Sequence, residues 1–202
     1  MSGGTRFLLT QSLLSAWLYQ YQAWDKDGAH KDFLRVLGRQ HTPQTQAIRD
    51  GIQFENLVQA SCEGELPVED HPWRAGVLEA ASILQGSQFQ VPAYQEVLVD
   101  RVPFLLYGRL DALKAGSIYD IKFSRGYQRG KYLQSPQHPM YFALCPEARD
   151  FTYVVYTGQE ILTEGYRRED AAPIEGTVRE FMAYLEAAGL AETYIQLWKA
   201  RN

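Results

Sequence analysis

Apolar residues recur at three-to-four spacing from Thr10 to about Trp24, where Leu14, Trp17, Leu18 and Tyr21 fall on one stripe. This predicts an amphipathic helix with Thr10 as its cap. A loop carrying Asp27-Gly28 and a short helix around Phe33 to Leu37 follow. Thr42-Pro43 has the cap-then-proline signature of a longer helix reaching about Cys62, and a further helix is expected from about Pro72 to Gln85. The period then shortens to two. Tyr94 to Asp100, Phe104 to Leu113 and Ser117 to Phe123 read as an antiparallel meander, separated by Val102-Pro103 and by Lys114-Ala-Gly-Ser117. Helical spacing returns between Gly130 and Leu144. FTYVVYTG and EILTEGYRR read as strands about Thr157-Gly158-Gln159, and two helices close the chain, Pro173 to about Ala188 and from Gly189 to near Lys199. The order is mixed α/β, without repeats, low-complexity tracts or linkers.

Length and composition narrow this to one domain with its own core. The chain has 202 residues, 46% apolar and 22% charged, with 9 prolines. That excludes disordered, collagenous and disulfide-scaffold classes. Cys62 and Cys145 stand far apart without metal spacing, so no zinc ribbon or iron-sulphur cage is expected, and both read as buried thiols in a reducing cytosol. No stretch approaches the roughly 18 apolar residues of a membrane span, and the run from Phe7 to Tyr19 lacks a cleavage site, so a cytoplasmic location is expected.

The chemistry concentrates in the hairpin around Asp111 and Asp120. With a symmetric four-residue turn, Leu113 faces Ile118, Asp111 pairs with Asp120 and Arg109 with Lys122, so Asp111, Asp120 and Lys122 share a face. Two carboxylates about 5 Å apart repel by roughly 3 kcal/mol at an effective dielectric of about 20, more than a favourable cross-strand pair returns. A cation between them resolves the conflict. A hard divalent ion, Mg²⁺ with Mn²⁺ as substitute, suits an all-oxygen site and phosphate-ester hydrolysis, with Lys122 orienting or deprotonating the attacking water. Simple neutralisation by Lys122 and Arg109 on a solvent-facing edge is the alternative.

A third carboxylate strengthens the metal reading. Projecting the helix after Pro43 places Ile48, Gly51, Ile52, Val58 and Cys62 on one face with Glu55 near its middle, and Gly51 would let that helix approach the sheet closely. A glutamate there is almost never buried unpaired, so it is either a metal ligand or the partner of a core arginine.

The chain resembles the PD-(D/E)XK nuclease superfamily, and within it the RecB-type exonuclease branch. The resemblance runs over Gly51 to Val58 (G-x-x-F-E-x-x-V), Gly108 to Asp111 (G-x-x-D), Asp120 to Lys122 (D-x-K) and Gln137 to Tyr141 (Q-x-x-x-Y), in order. It implies a restriction-endonuclease-like α/β core, a mixed central sheet flanked by helices. It also implies that Glu55, Asp111, Asp120 and the Ile121 carbonyl ligate the metal, that Lys122 is catalytic, and that Gln137 and Tyr141 contact DNA or brace the site. Some relatives carry a four-cysteine iron-sulphur cluster for which this sequence lacks the cysteines. Pro139 interrupts the last motif and predicts a kinked or delayed helix.

Between Asp120 and Glu147 no acidic residue occurs, in a chain whose 24 acidic residues outnumber its 20 basic ones. Arg125, Arg129 and Lys131, interleaved with Tyr127 and Tyr132, suit a groove that tracks a DNA strand, the alternative being a solvated loop. Gly126 and Gly130 point to a loop that orders on DNA. Trp17, Trp24, Trp73 and Trp198 are assigned to the core.

These readings converge on one nuclease domain spanning residues 1–202. Residues 1–88 form a mainly helical N-terminal cap carrying the first acidic motif, 89–170 the catalytic sheet, and 171–202 the C-terminal helices. The expected activity is Mg²⁺-dependent DNA hydrolysis, exonucleolytic, in recombination, repair or phage DNA processing. DNA is the expected partner, a recombination or annealing protein a second candidate, and no membrane is involved. A structure-specific endonuclease and a non-catalytic DNA-binding or assembly module that keeps the fold are the alternatives.

Overall fold

The computed structural model describes residues 5–41, 43–65, 67 and 69–200. In chain order the elements are β1 (Phe7–Thr10), α1 (Gln11–Gln22), α2 (Lys26–Leu37), α3 (Gln46–Cys62), α4 (Arg74–Leu84), β2 (Gln88–Val99), β3 (Val102–Lys114), β4 (Ser117–Phe123), α5 (Gln137–Leu144), β5 (Asp150–Tyr156), β6 (Ile161–Arg167), α6 (Ile174–Ala187) and α7 (Ala191–Leu197). Together they form an α/β architecture, a mixed six-stranded sheet flanked by helices. No helix among the described residues is long and apolar enough to cross a membrane.

Local chemistry accounts for the helix starts. Thr10 caps α1 by accepting a hydrogen bond from Leu13 N at 3.3 Å, as its position predicts. Asp25 caps α2 through Gly28 N at 2.9 Å, so Asp27-Gly28 lies inside a twelve-residue helix rather than in a loop. The cap of α3 is Thr45, which accepts from Ile48 N at 3.3 Å. The expected cap Thr42 lies outside the described residues. α5 begins only at Gln137, and 124–135 is a run of turns and bends rather than the expected first half of a helix. Pro139 sits in the first turn of α5, where its missing N–H leaves no bond unmade, so it causes no kink.

The strand missed by periodicity is β1. Its four residues run without a break into α1, so FLLT and the helical stripe merge into one apolar stretch. β1 pairs parallel with β3, Phe7 opposite Phe104 through Thr10 opposite Tyr107. On the same edge of β3, β4 pairs antiparallel only from Ala112–Tyr119 to Lys114–Ser117. Gly108 to Asp111 therefore have no ladder partner on that edge, and β1 and β4 fork away from it. The hairpin turn is the two-residue Ala115-Gly116, both with positive φ (49° and 81°), as a type I′ turn requires. Leu113 faces Ile118 as expected, but the ladder stops before an Asp111–Asp120 or Arg109–Lys122 pair forms.

The other edge of β3 pairs with β2 along its length except at Gln90 and Asp111. Gln90 adopts φ 53°, a left-handed conformation that costs a non-glycine residue about 1–2 kcal/mol. Across this break the pleat changes phase. Val91 and Leu110 pack into one core, while Phe89 and Ala112 pack into the other.

Those two cores lie on opposite faces of the sheet. One joins β1, β3 and β5 to α1, α2, α5, α6 and α7 through Leu9, Leu13, Trp17, Phe33, Phe104, Phe151 and Phe181. The other places Phe54 and Val58 of α3 and Val77, Ala80 and Leu84 of α4 against Ile121, Val154 and Tyr156. The first four helices are thus divided between the two faces and do not form one cap. Trp17 and Trp198 are buried, whereas Trp24 is fully exposed in the α1–α2 turn, contrary to its core assignment. Cys62 and Cys145 are free and half-buried.

Gly108 sits where α5 crosses the forked edge. A Cβ there would lie 2.7 Å from Leu144 Cδ1 and 2.8 Å from Tyr141 Cε1, and the Tyr141 ring is fixed by its hydroxyl donating to Arg109 O at 2.9 Å. Gly108→Ala is expected to destabilise the fold by about 1–3 kcal/mol, read as a lowered urea midpoint. An unchanged midpoint would show that α5 is free to shift.

Candidate functional site

A cleft of about 330 Å³ opens at the fork. Glu55, Asp111, Asp120, Ile121, Lys122, Gln137 and Tyr141 all line it, carried by α3, β3, β4 and α5. The structure also brings in Thr10, Gln11 and Ser12 at the start of α1, with Tyr107 and Arg109. The positive end of the α1 dipole therefore meets the cleft, a favourable setting for an anion.

Glu55 arrives by a route that the helical projection misplaced. The buried residues of α3 are Asp50, Phe54 and Val58, while Ile48 and Ile52 are 45% and 43% exposed. Phe54 stacks on Tyr156 at 4.8 Å and packs against Phe123 and Trp73, and this aromatic contact fixes the helix rotation. Glu55, the next residue, is left half-buried at the margin. A Cβ on Gly51 would meet nothing within 4 Å, so Gly108, not Gly51, permits the close approach at this site.

Each carboxylate has a defined partner. Gln90 donates its amide to Glu55 Oε1, and its oxygen accepts from Arg109 Nη1 at 3.3 Å. Asp111 Oδ2 accepts from Ile121 N at 2.9 Å, taking the place of a ladder carbonyl. Gln137 donates to Asp120 Oδ1. Lys122 Nζ lies 2.6 Å from Asp120 Oδ2 in poor alignment, leaving that buried oxygen with the ammonium's charge but no proper hydrogen bond. Gln90 carried no sequence signal, because only its left-handed backbone turns it toward Glu55.

The crowding of negative charge shifts the titrations. Burial, then the nearby Asp120, pushes Asp111 well above the ordinary carboxylate range, and burial likewise raises Glu55. Burial of Lys122 acts to discharge it, but Asp120 and Asp111 outweigh that and hold its pKa above the ordinary value. Burial comes first in both shifts and the neighbouring carboxylates add to it, so a cation bound between them would lower both.

Oxygen donors of this kind, one of them buried without an aligned donor, fit a hard divalent cation chemically. Among the described residues no group of three or more His, Cys, Asp or Glu side chains is disposed to hold a metal ion as it stands. Amides, an ammonium and a backbone N–H lie against the carboxylate oxygens in this arrangement.

The basic segment does not line this cleft. Arg125 and Lys131 border a neighbouring cavity of about 490 Å³ with Asp50 and Tyr132. Arg125 lies 3.6 Å from Asp50 and over the Phe123 ring, and Lys131 donates to Ser124 Oγ at 2.7 Å. Arg129 is exposed. Tyr127 turns inward and donates to Glu164, a buried residue of β6 that also accepts from Tyr166 and from Gly130 N at 3.0 Å. Burial tends to raise the Glu164 pKa, but these donors outweigh it and hold the carboxyl below its ordinary range. The segment is therefore pinned without DNA, by an acid 34 to 37 positions away that no local reading connects to it.

The class defined by fold and site is an α/β protein with an acidic, lysine-bearing cleft at a fork in a mixed sheet. No family model matches the chain, and no curated protein matches it. Among solved structures the chain is similar to one described as "Crystal structure of SSO0001", with a TM-score of 0.52 and 17% identity over 96% of this chain and 78% of that one. At that identity the likeness concerns the fold alone.

Two outcomes test the supporting shell. Glu164→Ala should free the pinned segment and speed tryptic cleavage after Arg125, Arg129 or Lys131 by roughly tenfold, since losing about 1.4 kcal/mol of local stability shifts the opening equilibrium by that factor. Unchanged cleavage would show the loop is held otherwise. His138 is buried against Tyr166 with Nδ1 unpartnered, and burial lowers its pKa to about 4. The unfolded chain takes up that proton near pH 6.5, so the stabilisation is complete above about pH 6.5 and is lost as pH falls toward about 4, by roughly 3 kcal/mol. Urea midpoints across that interval should fall for the parent and flatten for His138→Phe.

Proposed function

We propose that the chain is a metal-dependent DNA nuclease with a restriction-endonuclease-like core, similar to the RecB-type branch of the PD-(D/E)XK superfamily. On this reading it is an exonuclease of recombination, repair or phage DNA processing. The observation that carries the proposal is the convergence of Glu55, Asp111, Asp120 and Lys122, from α3, β3 and β4, in one cleft.

Glu55, Asp111, Asp120 and the Ile121 carbonyl would hold Mg²⁺ or Mn²⁺, which when bound supplies Lewis-acid charge and acidifies a water. The rest is done by the chain. Gln137 orients Asp120, and the Ile121 N–H orients Asp111. Lys122, kept charged by the two aspartates, orients the attacking water and offsets charge on the phosphate rather than taking up a proton. Tyr141 ties α5 to the unpaired edge through Arg109 O, bracing the cleft wall. On this reading Arg125, Arg129 and Lys131 meet phosphates beyond the cleft, the local cation supply in a chain with a surplus of acidic residues.

The experiment is purified protein with Mg²⁺ or Mn²⁺ on end-labelled linear, circular and single-stranded DNA. Asp120→Ala and Glu55→Gln should each lower cleavage at least about a hundredfold and chelation should abolish it; the melting temperature should hold for Glu55→Gln and fall for Asp120→Ala, which strips Lys122 and the buried Gln137 of their partner. Lys122→Ala should lose cleavage while retaining affinity measured in Ca²⁺. Cleavage of circular DNA would favour the endonuclease alternative. Binding without cleavage by the parent protein would favour the non-catalytic module.

A further inference from the structure

One cleft residue continues into a surface that the proposed chemistry leaves unused. Tyr107, which lines the cleft, sits directly opposite Tyr94 of β2, and their rings lie 4.8 Å apart at 31°. Opposite residues of an antiparallel pair share a face, so Tyr94, Tyr107 and Arg109 project to the same side. α3 and α4 pack over β4, β5 and β6 and leave this part of the face open. Tyr94 is 60% exposed. Arg109 is exposed and donates to Gln90, and it forms no ion pair with a carboxylate among the described residues.

Tyr107 and Asp111 are four residues apart on β3, or about 13 Å at roughly 3.3 Å per residue. That separation corresponds to a few nucleotides of a single strand. An outward aromatic ring, a second ring behind it and a cation alongside are the parts that hold a nucleotide without reading its sequence. The ring takes the base's π-face and the guanidinium takes the phosphate. A cross-strand tyrosine pair also steadies the ladder, but that role requires only contact between the rings and leaves the outer face of Tyr94 without a function.

We propose that Tyr94 and Tyr107, with Arg109 beside them, form a stacking platform for a nucleobase of a single-stranded DNA segment leading to the cleft. This rests on the nuclease reading and names the substrate form that the site takes. The strand enters over the open face of β2 and β3, its base stacks on Tyr94, and Arg109 meets the phosphate between the platform and the carboxylates. Recognition is indifferent to sequence because every base offers a π-face.

The test is fluorescence anisotropy in Ca²⁺ with two labelled strands of equal length, oligothymidylate and an abasic oligomer of the same charge. The parent protein should bind oligothymidylate more tightly. Tyr94→Ala should weaken that binding roughly five- to hundredfold and leave the abasic strand unaffected. Tyr94→Leu, which keeps apolar bulk in the strand, should behave like the alanine variant, and Tyr94→Trp should restore affinity. An equal loss on both strands, or none on either, would overturn the platform. If the parent bound and cleaved DNA while Tyr94→Ala matched it, only the platform would fall. If the parent bound neither strand, the platform would fall, and cleavage of the linear duplex with Mg²⁺ would decide the nuclease reading separately.

Discussion

A gap in one edge of a central strand governs this protein. From Gly108 to Asp111, β3 has no ladder partner on the side where β1 has ended and β4 has not begun. Backbone polar groups left without partners in an interior are costly, so the gap has to be filled by other means. Tyr141 donates to Arg109 O, and Asp111 supplies the acceptor that Ile121 N would otherwise find in a neighbouring strand. The side chains that repair the sheet are the same ones that line the cleft. The left-handed Gln90 on the opposite edge completes the break and reaches Glu55.

The same arrangement gathers negative charge where the protein can least hydrate it. Asp111 and Glu55 respond by binding protons more tightly, and Lys122 by staying charged. A fold selected only for stability would place apolar residues at such a fork, since buried ion pairs at best break even against good packing. The fork instead carries an excess of acceptors that a dication would satisfy, with the positive end of α1 on one side and Arg109 on another. Rigidity comes from the two cores, which hold α3 by aromatic stacking on one face and α5 by the close contact at Gly108 on the other.

Electrostatic organisation beyond the cleft depends on partners far apart in sequence. The basic segment after β4 is acid-free along the chain, yet in space Asp50 sits beside Arg125 and Glu164 anchors Tyr127 and Gly130. Half-buried phenols and backbone N–H groups hold the Glu164 carboxyl below its ordinary range, so a segment rich in turns and glycine is fixed at one end of a hydrogen-bond network. Its three exposed cations, Arg125, Arg129 and Lys131, are thereby presented from a defined base rather than from a floating loop.

The sequence alone determined those features that rest on short-range periodicity and local chemistry. These are the cap of α1 with Leu14 and Trp17 on its buried face, the β3–β4 hairpin with Leu113 facing Ile118, the paired strands about Gly158, the closing helices, and the presence of Glu55, Asp111, Asp120, Lys122, Gln137 and Tyr141 as a set. All of these residues do meet in one cleft, because alternation along β4 and one helical turn of α5 fix which side chains share a face. Only the tertiary structure decided the rest. β1 is defined by its parallel pairing with β3, and the ladder ends before Asp111 meets Asp120. The rotation of α3 is set by Phe54 against Tyr156, not by its isoleucines. Trp24 points to solvent, Tyr127 points inward to Glu164, and Gln90 enters the site through a backbone conformation. For β1, α3, Tyr127 and Gln90 the deciding partner lies dozens of residues away, and a pattern read along the chain carries no information about which distant surfaces will compete for the same side chain.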